Sequence, residues 1–195
     1  MIRIEKKQIY ESHGYTFMNF VMLSEEEKLM ILRWRNTEKV RQMMLNKELI
    51  SEKEHFSFID NLKKRNDCEY WLVSDRKGIK VGVVDLHHID YEHSEADMGF
   101  YMDPSQELKL FEFMIECNYF MYVCIGLITN TITINVNNKY ILLVNKFLGA
   151  TFSKRVKIGD EDYYVGKVSM GKLFKENYDT LTLSRFAKFV KSQTC

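Results

Sequence analysis

IKVGVVDLHHIDYEHSEADMGFYMDPSQELKLFEFMIECNYF, residues 79–120, is the stretch whose reading decides the fold. Residues 80–86, Lys-Val-Gly-Val-Val-Asp-Leu, are β-branched and apolar, the mark of a strand buried on at least one face. Two histidines and several acids within 87–95 read as a loop or hairpin connection, and residues 96–102 resume an extended pattern. Asp103-Pro104 ends that strand, because proline lacks the N–H a ladder needs and biases its predecessor away from helix. An aromatic-rich helix then runs to Phe120. A strand ending at the mouth of a helix leaves amides without partners, and amides at a helix N-terminus attract phosphate, so a ligand is expected at this junction.

Around this stretch, 195 residues suffice for a single domain over 1–195 with a core that needs neither disulfide nor metal. The 28 Lys and Arg against 27 Asp and Glu leave a formal charge of +1, which gives no reason to expect a nucleic-acid or anionic-membrane partner. A single proline beside 13 Phe, 11 Tyr and 11 Met indicates a packed globular chain with little linker. Residues 1–7 lack the apolar run of a signal peptide, and the longest apolar run, around 119–128, is too short to span a bilayer. A cytoplasmic protein is expected. Cys68, Cys117, Cys124 and Cys195 form no CxxC pair and have no histidines at ligand spacing, so no metal is expected; Cys117 and Cys124, seven apart, would lie on one helical face as buried thiols.

From the N-terminus, residues 15–21 read as a first strand, with another short edge strand within 2–10. Ser24-Glu25-Glu26-Glu27 and Ser51-Glu52-Lys53-Glu54 are capping boxes that open two helices. Residues 70–74, a turn at 75–78 and residues 79–86 form a hairpin. After the central stretch come a strand at 127–136, a helix at 138–148 stopped by Gly149, a hairpin of 151–158 with 163–170, and a terminal helix over 181–190. This order makes a mixed α/β chain with a largely antiparallel sheet.

Trp34-Arg35-Asn36 with Val40-Arg41 and Met44, Ile50-Ser51 with His55 and Phe58-Ile59, Val81-Gly82-Val83-Val84-Asp85, Gly99-Phe100-Tyr101 with Pro104, and Asn138 with Asn145 and Leu148-Gly149 carry a resemblance. Taken in order, they resemble the GNAT family of acetyl-CoA-dependent N-acetyltransferases, most of all the PseH-like branch that acetylates an amino sugar on a nucleotide carrier. Each piece is short; their order and spacing over most of the chain are the argument.

The resemblance implies an α/β (α+β) GNAT fold, a mixed, mostly antiparallel twisted sheet with splayed central strands flanked by helices. The fourth strand, 96–102, and the fifth, 127–136, would part to admit acetyl-CoA, with its pyrophosphate on the loop before the central helix. The implied reaction is direct attack of a neutral amine on the acetyl thioester, which needs a general base, an oxyanion donor and a proton donor. Implied cofactor contacts are Met102, the amides of Lys109, Leu110 and Phe111, and Asn138. Where family members carry a glycine-rich turn, residues 105–111 have no glycine, so side chains crowd the phosphate and the Lys109 ammonium would compensate. Asn138 reads equally as a helix cap. Asn145 stands where many members place a tyrosine, and asparagine can hydrogen-bond a sulfur but cannot protonate a thiolate.

Candidate bases are Asp97 on the fourth strand and His87 or His88 at the end of the third, each also readable as a solvated polar residue. The acceptor site implied by the nucleotide-sugar branch is Arg35, Met44, His55 and Tyr101, with His88 nearby; a guanidinium suits a diphosphate, and a thioether or imidazole can lie against a base. Trp34-Arg35-Asn36 also occurs in relatives that acetylate protein N-termini, which leaves a peptide amine as an alternative acceptor. The glycine-free loop and Asn145 leave a catalytically silent binding module as a second alternative. The partners in view are a small-molecule amine and, for the chain itself, a homodimer.

Overall fold

Residue contacts divide the computed structural model, which describes residues 1–193, into two units: 4–89 with 98–113, and 1–3 with 90–97 and the chain from 114 onward. Cys195 lies outside the described residues.

The first unit opens with a hairpin of β1 (Ile9–Ser12) and β2 (Tyr15–Asn19), turned at His13 and Gly14, both at positive φ. The expected edge strand is thus present only at the end of its range. Ser24 caps α1 (Glu25–Asn36) with both halves of the capping box formed, three glutamates in the first turn and Arg33 and Arg35 in the last. Thr37 caps a short helix absent from the sequence reading, α2 (Glu38–Arg41), and the second capping box opens α3 (Glu52–Leu62). Next comes the hairpin of β3 (Cys68–Ser74) and β4 (Lys80–Asp90). The Asp75 carboxylate shapes its turn by accepting the N–H groups of Lys77 and Ile79, and Gly78 supplies the positive φ.

β4 corrects one expectation, since residues 87–90 continue the strand instead of opening a loop. Pairing with β3 persists to Cys68↔His87, and the Ile89 N–H donates to the Asp67 carbonyl, so ladder bonds outweigh the polar composition. His88, at φ 51°, marks the irregularity that this extension requires. The core of the unit joins Phe20, Ile31, Ile59, Leu62, Leu72 and Val83, with Trp34, Tyr70 and Tyr101 packed at its margin.

β5 (Glu95–Met102) passes from the second unit into the first. α4 (Leu110–Tyr119) returns the chain and continues as a π-helix over Phe120–Ile125, closed by Gly126 at φ 88°. The wider π turn rephases the helix, so Cys117 is buried while Cys124 is exposed, and the expected common face of buried thiols does not form. β6 (Thr129–Asn135), α5 (Lys139–Phe147), β7 (Thr151–Ile158) and β8 (Glu161–Val168) follow. α6 (Gly171–Asn177), unforeseen in the sequence, and α7 (Leu183–Ser192), capped by Thr182, complete the described chain. The buried Ser94, at φ 56°, is a junction within this unit: its Oγ accepts the Ile2 N–H, and its carbonyl accepts the N–H groups of Ile128 and Thr129.

Among the described residues, eight strands take the order β1-β2-β3-β4-β5-β6-β8-β7. β5 and β6 are parallel, matched over Glu95–Asp97 and Thr129–Thr131; the other matched pairs of known register are antiparallel. Among the described residues, no helix is long and apolar enough to cross a membrane, and no cluster of three or more candidate metal ligands occurs.

Candidate active site

Strand alternation assembles the polar cluster of the first unit. Tyr70 on β3 stands opposite Asp85 on β4, and His87, two residues beyond Asp85, points from the same face. His87 Nε2 lies 2.9 Å from Asp85 Oδ1 and 3.0 Å from the Tyr70 hydroxyl. A carboxylate at that distance assigns the proton to Nε2, which makes Nδ1 the basic nitrogen of the ring. Asp85 is buried, whereas the His87 side chain is 41% exposed, so the carboxylate anchors a ring that reaches solvent. Gly99 on β5 is what admits this carboxylate: a Cβ there would sit 2.6 Å from Asp85 Oδ1.

Tyr70 packs edge-on against Phe58 and His87 and tilts against Phe20. Burial, and secondarily the nearby Asp85 charge, pushes the Tyr70 and Tyr101 phenols well above their ordinary range, so both stay protonated. Beside them is Arg35, whose pKa burial lowers; Tyr101 opposes that shift and Arg41 adds to it. Arg35 Nη2 donates to the Asn46 carbonyl at 2.6 Å. Met44 lies half-buried in the turn that follows α2. Arg35, Tyr101 and His87 therefore share one unit with Tyr70 and Asp85, two residues the sequence reading did not assign to the site. A signal for Asp85 existed, an acid inside an otherwise apolar strand; Tyr70 emerges only once hairpin register is known.

Other expected residues have different settings. His55 is buried, and its Nε2 donates to the Lys28 carbonyl at 3.0 Å, tying α3 to α1 rather than facing a ligand. His88 is exposed and set off by its positive φ. Asp97 lies on the second-unit part of β5. On α5, Asn138 Oδ1 accepts the Ile141 N–H as an N-cap, and the buried Asn145 amide donates to the Ile141 carbonyl. Both side chains are engaged by their own helix.

At the junction before α4, Asp103 caps a 3₁₀ turn over Pro104–Lys109, its Oδ1 accepting the Ser105 N–H. The Leu110 N–H donates to the Glu107 carbonyl, which corrects the expectation of an orphan amide there: the 3₁₀ turn moves the helix opening back to Asp103. Met102 and Phe111 are buried. The part-exposed Lys109 ammonium is 2.7 Å from Asp75 Oδ2, and Lys39 pairs with Glu107, so ion pairs tie this loop to the β3–β4 turn and to α2. Lys109 is the group here whose chemistry fits a phosphate.

No family model matches the chain. Over 86 residues it is 35% identical to acetyltransferase PseH of Campylobacter jejuni subsp. jejuni serotype O:2, a match covering 44% of this chain and 52% of that protein. Over 87 residues it is 32% identical to PseH of serotype O:23/36, covering 45% and 53%. The chain thus spans about half the length of the curated relatives it matches. Among solved structures, Campylobacter jejuni PseH in complex with acetyl coenzyme A superposes with a TM-score of 0.63 at 20% identity, over 80% of this chain and 98% of that one. Spermidine N-acetyltransferase from Vibrio cholerae, in complex with CoA and spermine, gives 0.71 at 14%, over 83% and 98%. At these identities the likeness is one of fold, and the fold is that of the GNAT acetyltransferases.

Proposed function

We propose that this chain is an N-acetyltransferase that takes acetyl-CoA as co-substrate and a nucleotide-linked amino sugar as preferred acceptor. The observation that carries the reading is the His87 ring, held at Nε2 by the buried Asp85 and the Tyr70 hydroxyl beside Arg35 and Tyr101. Acetyl-CoA supplies the acetyl thioester. His87 Nδ1 takes the proton of the acceptor amine, whose nitrogen forms a bond to the acetyl carbon as the carbon–sulfur bond breaks and coenzyme A leaves as its thiolate, to be protonated from water. Asp85 stabilises the imidazolium so formed. Lys109, at the start of α4, suits the cofactor's phosphates. Arg35, without a carboxylate partner among the described residues, supports an anionic acceptor over a polycationic one. The sequence likeness to PseH supports the same acceptor class.

A second reading, a GNAT-fold binding module without catalysis, is favoured by the engaged Asn145 amide and Leu110 N–H. Calorimetry with acetyl-CoA on the wild type and Lys109→Glu, followed by thiol release with nucleotide-linked amino sugars, spermidine and peptide amines, separates them. Micromolar cofactor binding weakened by the Lys109 change, with turnover of the sugar nucleotide alone, is expected. Absence of binding at millimolar acetyl-CoA would sink the enzyme reading, and preferential turnover of spermidine or peptide would sink the acceptor.

A further inference from the structure

The formal charge of +1 hides an uneven distribution. Residues 1–136 hold 17 Lys and Arg against 22 Asp and Glu, whereas residues 137–195 hold 11 against 5. The later stretch is therefore +6 and the earlier one −5, a separation that the chain-wide balance conceals. In the later stretch Arg155 pairs with Asp162 and Lys167 with Glu95. Lys139, Lys146, Lys154, Lys157, Arg185 and Lys188 are exposed and have no carboxylate at ion-pair distance among the described residues. Unpaired cations at this density raise the local potential and favour a polyanionic partner.

The second unit builds a groove from the same elements. α5, β7, β8 and α7 border an open groove of about 620 Å³ whose lining includes Leu142, Lys146, Phe152, Tyr164 and Phe189. A bulge in β7 shapes its floor. Pairing passes from Phe152↔Gly166 to Lys154↔Val165, so Phe152, Arg155 and Lys157 all fall on the face of Tyr164, although Phe152 and Arg155 are three residues apart. The Phe152 and Tyr164 rings tilt against each other with centroids 5.7 Å apart. Phe152, Tyr164 and Phe189 are only half-buried, so each keeps ring surface available. The apolar stripe of α7 is already covered, with Phe186 edge-on against Tyr140 and Phe147, and Phe189 against Phe147. A lipid surface needs apolar side chains that project, and these are recessed. Recessed rings beside lysines suit flat bases strung on phosphates, which stack on aromatics while the backbone follows positive charge. We infer that the groove between α5, α7 and the β7–β8 ribbon binds single-stranded nucleic acid. The inference does not depend on the acceptor proposed above.

The test uses the full chain with labelled single-stranded DNA and RNA of about 12 nucleotides, read by fluorescence anisotropy. At least one strand is expected to bind, and raising NaCl from about 50 to about 200 mM should weaken it roughly 10–100-fold. Lys146→Glu should weaken binding roughly tenfold or more while acetyl-CoA affinity, measured in parallel, stays unchanged. Tyr164→Leu, which keeps bulk but removes the ring, should weaken it roughly 5–100-fold, and Tyr164→Phe should restore it. Thermal melts accompany each variant; if Tyr164→Leu does not fold, Phe152→Leu carries the same comparison. No strand binding at the lower salt, or affinity unchanged by both substitutions, overturns the inference. Binding of polyglutamate or of anionic vesicles as tight as that of the strand would reveal a bare cationic surface and overturn it. Displacement of the strand by stoichiometric acetyl-CoA would give the groove to the cofactor and overturn it too.

Discussion

Helix α5 and the β3–β4 hairpin carry polar residues under opposite conditions. On α5, Asn138 and Asn145 each make a side-chain hydrogen bond to the backbone of their own helix. On the hairpin, Asp85 and Tyr70 converge on a single nitrogen of a half-exposed histidine, while the neighbouring arginines keep buried N–H groups without acceptors. The contrast teaches that residue type alone does not mark a site. A polar group satisfied within its own element reports on local stability, whereas a buried one left unsatisfied is a place to look for a ligand.

The sharpest way to break this contrast is at His87. His87→Gln should lower kcat roughly 10²–10⁴-fold with little change in Tm, measured by thiol release and thermal melts. A variant with wild-type kcat would remove the hairpin from the chemistry. Gly99→Ala comes next: the new methyl displaces the Asp85 carboxylate, and a loss of roughly 10–100-fold in kcat is expected from the misplaced ring. Retained activity there would show that His87 does not depend on Asp85.

On α5 the expected effects are smaller and of another kind. Asn138→Ala should cost about 1 kcal/mol of stability, and Asn138→Ser, which caps equally well, should restore it. If serine restores Tm but acetyl-CoA affinity stays reduced, the Asn138 amide has a cofactor role beyond its cap. The smallest effect concerns His55. Burial, the leading cause, holds its folded pKa below the ordinary 6.5, so below that pH the unfolded chain takes up a proton that the folded chain refuses. Stability therefore falls as pH drops from 6.5 toward the folded value and levels off beneath it. His55→Gln, which can still donate to the Lys28 carbonyl, should flatten that part of a Tm–pH curve.

Features written in consecutive residues were legible in the sequence. Ser24 and Ser51 announce their helices because a capping box is complete within four residues, and Asn138 and Gly149 bracket α5 for the same reason. The hairpin turn at Asp75 and Gly78 is equally local. His87–Asp90 misled because composition favours a loop, while partners on β3 hold those residues extended. Arg35 and Tyr101 are candidates from the family pattern and His87 from its residue type, and all three lie in one unit of the structure. Asp85 and Tyr70 enter the candidate site only through hairpin register and burial, neither of which a linear reading contains. The pattern also proposed His55, which packing engages elsewhere.

The Ser94 junction has a consequence for the order in which the chain acquires its structure. β1 with β2, and β3 with β4, close over short turns, so their entropic cost of meeting is small. The parallel match of Glu95 with Thr129 cannot form until α4 and the π-helix lie between them, and Ser94 must also gather Ile2 from the start of the chain. The hairpins therefore nucleate early, and the β5–β6 seam with its N-terminal tie closes late. On that seam a substitution alters how long the chain waits half-built, and so how long its unpaired strand edges stand open to other chains.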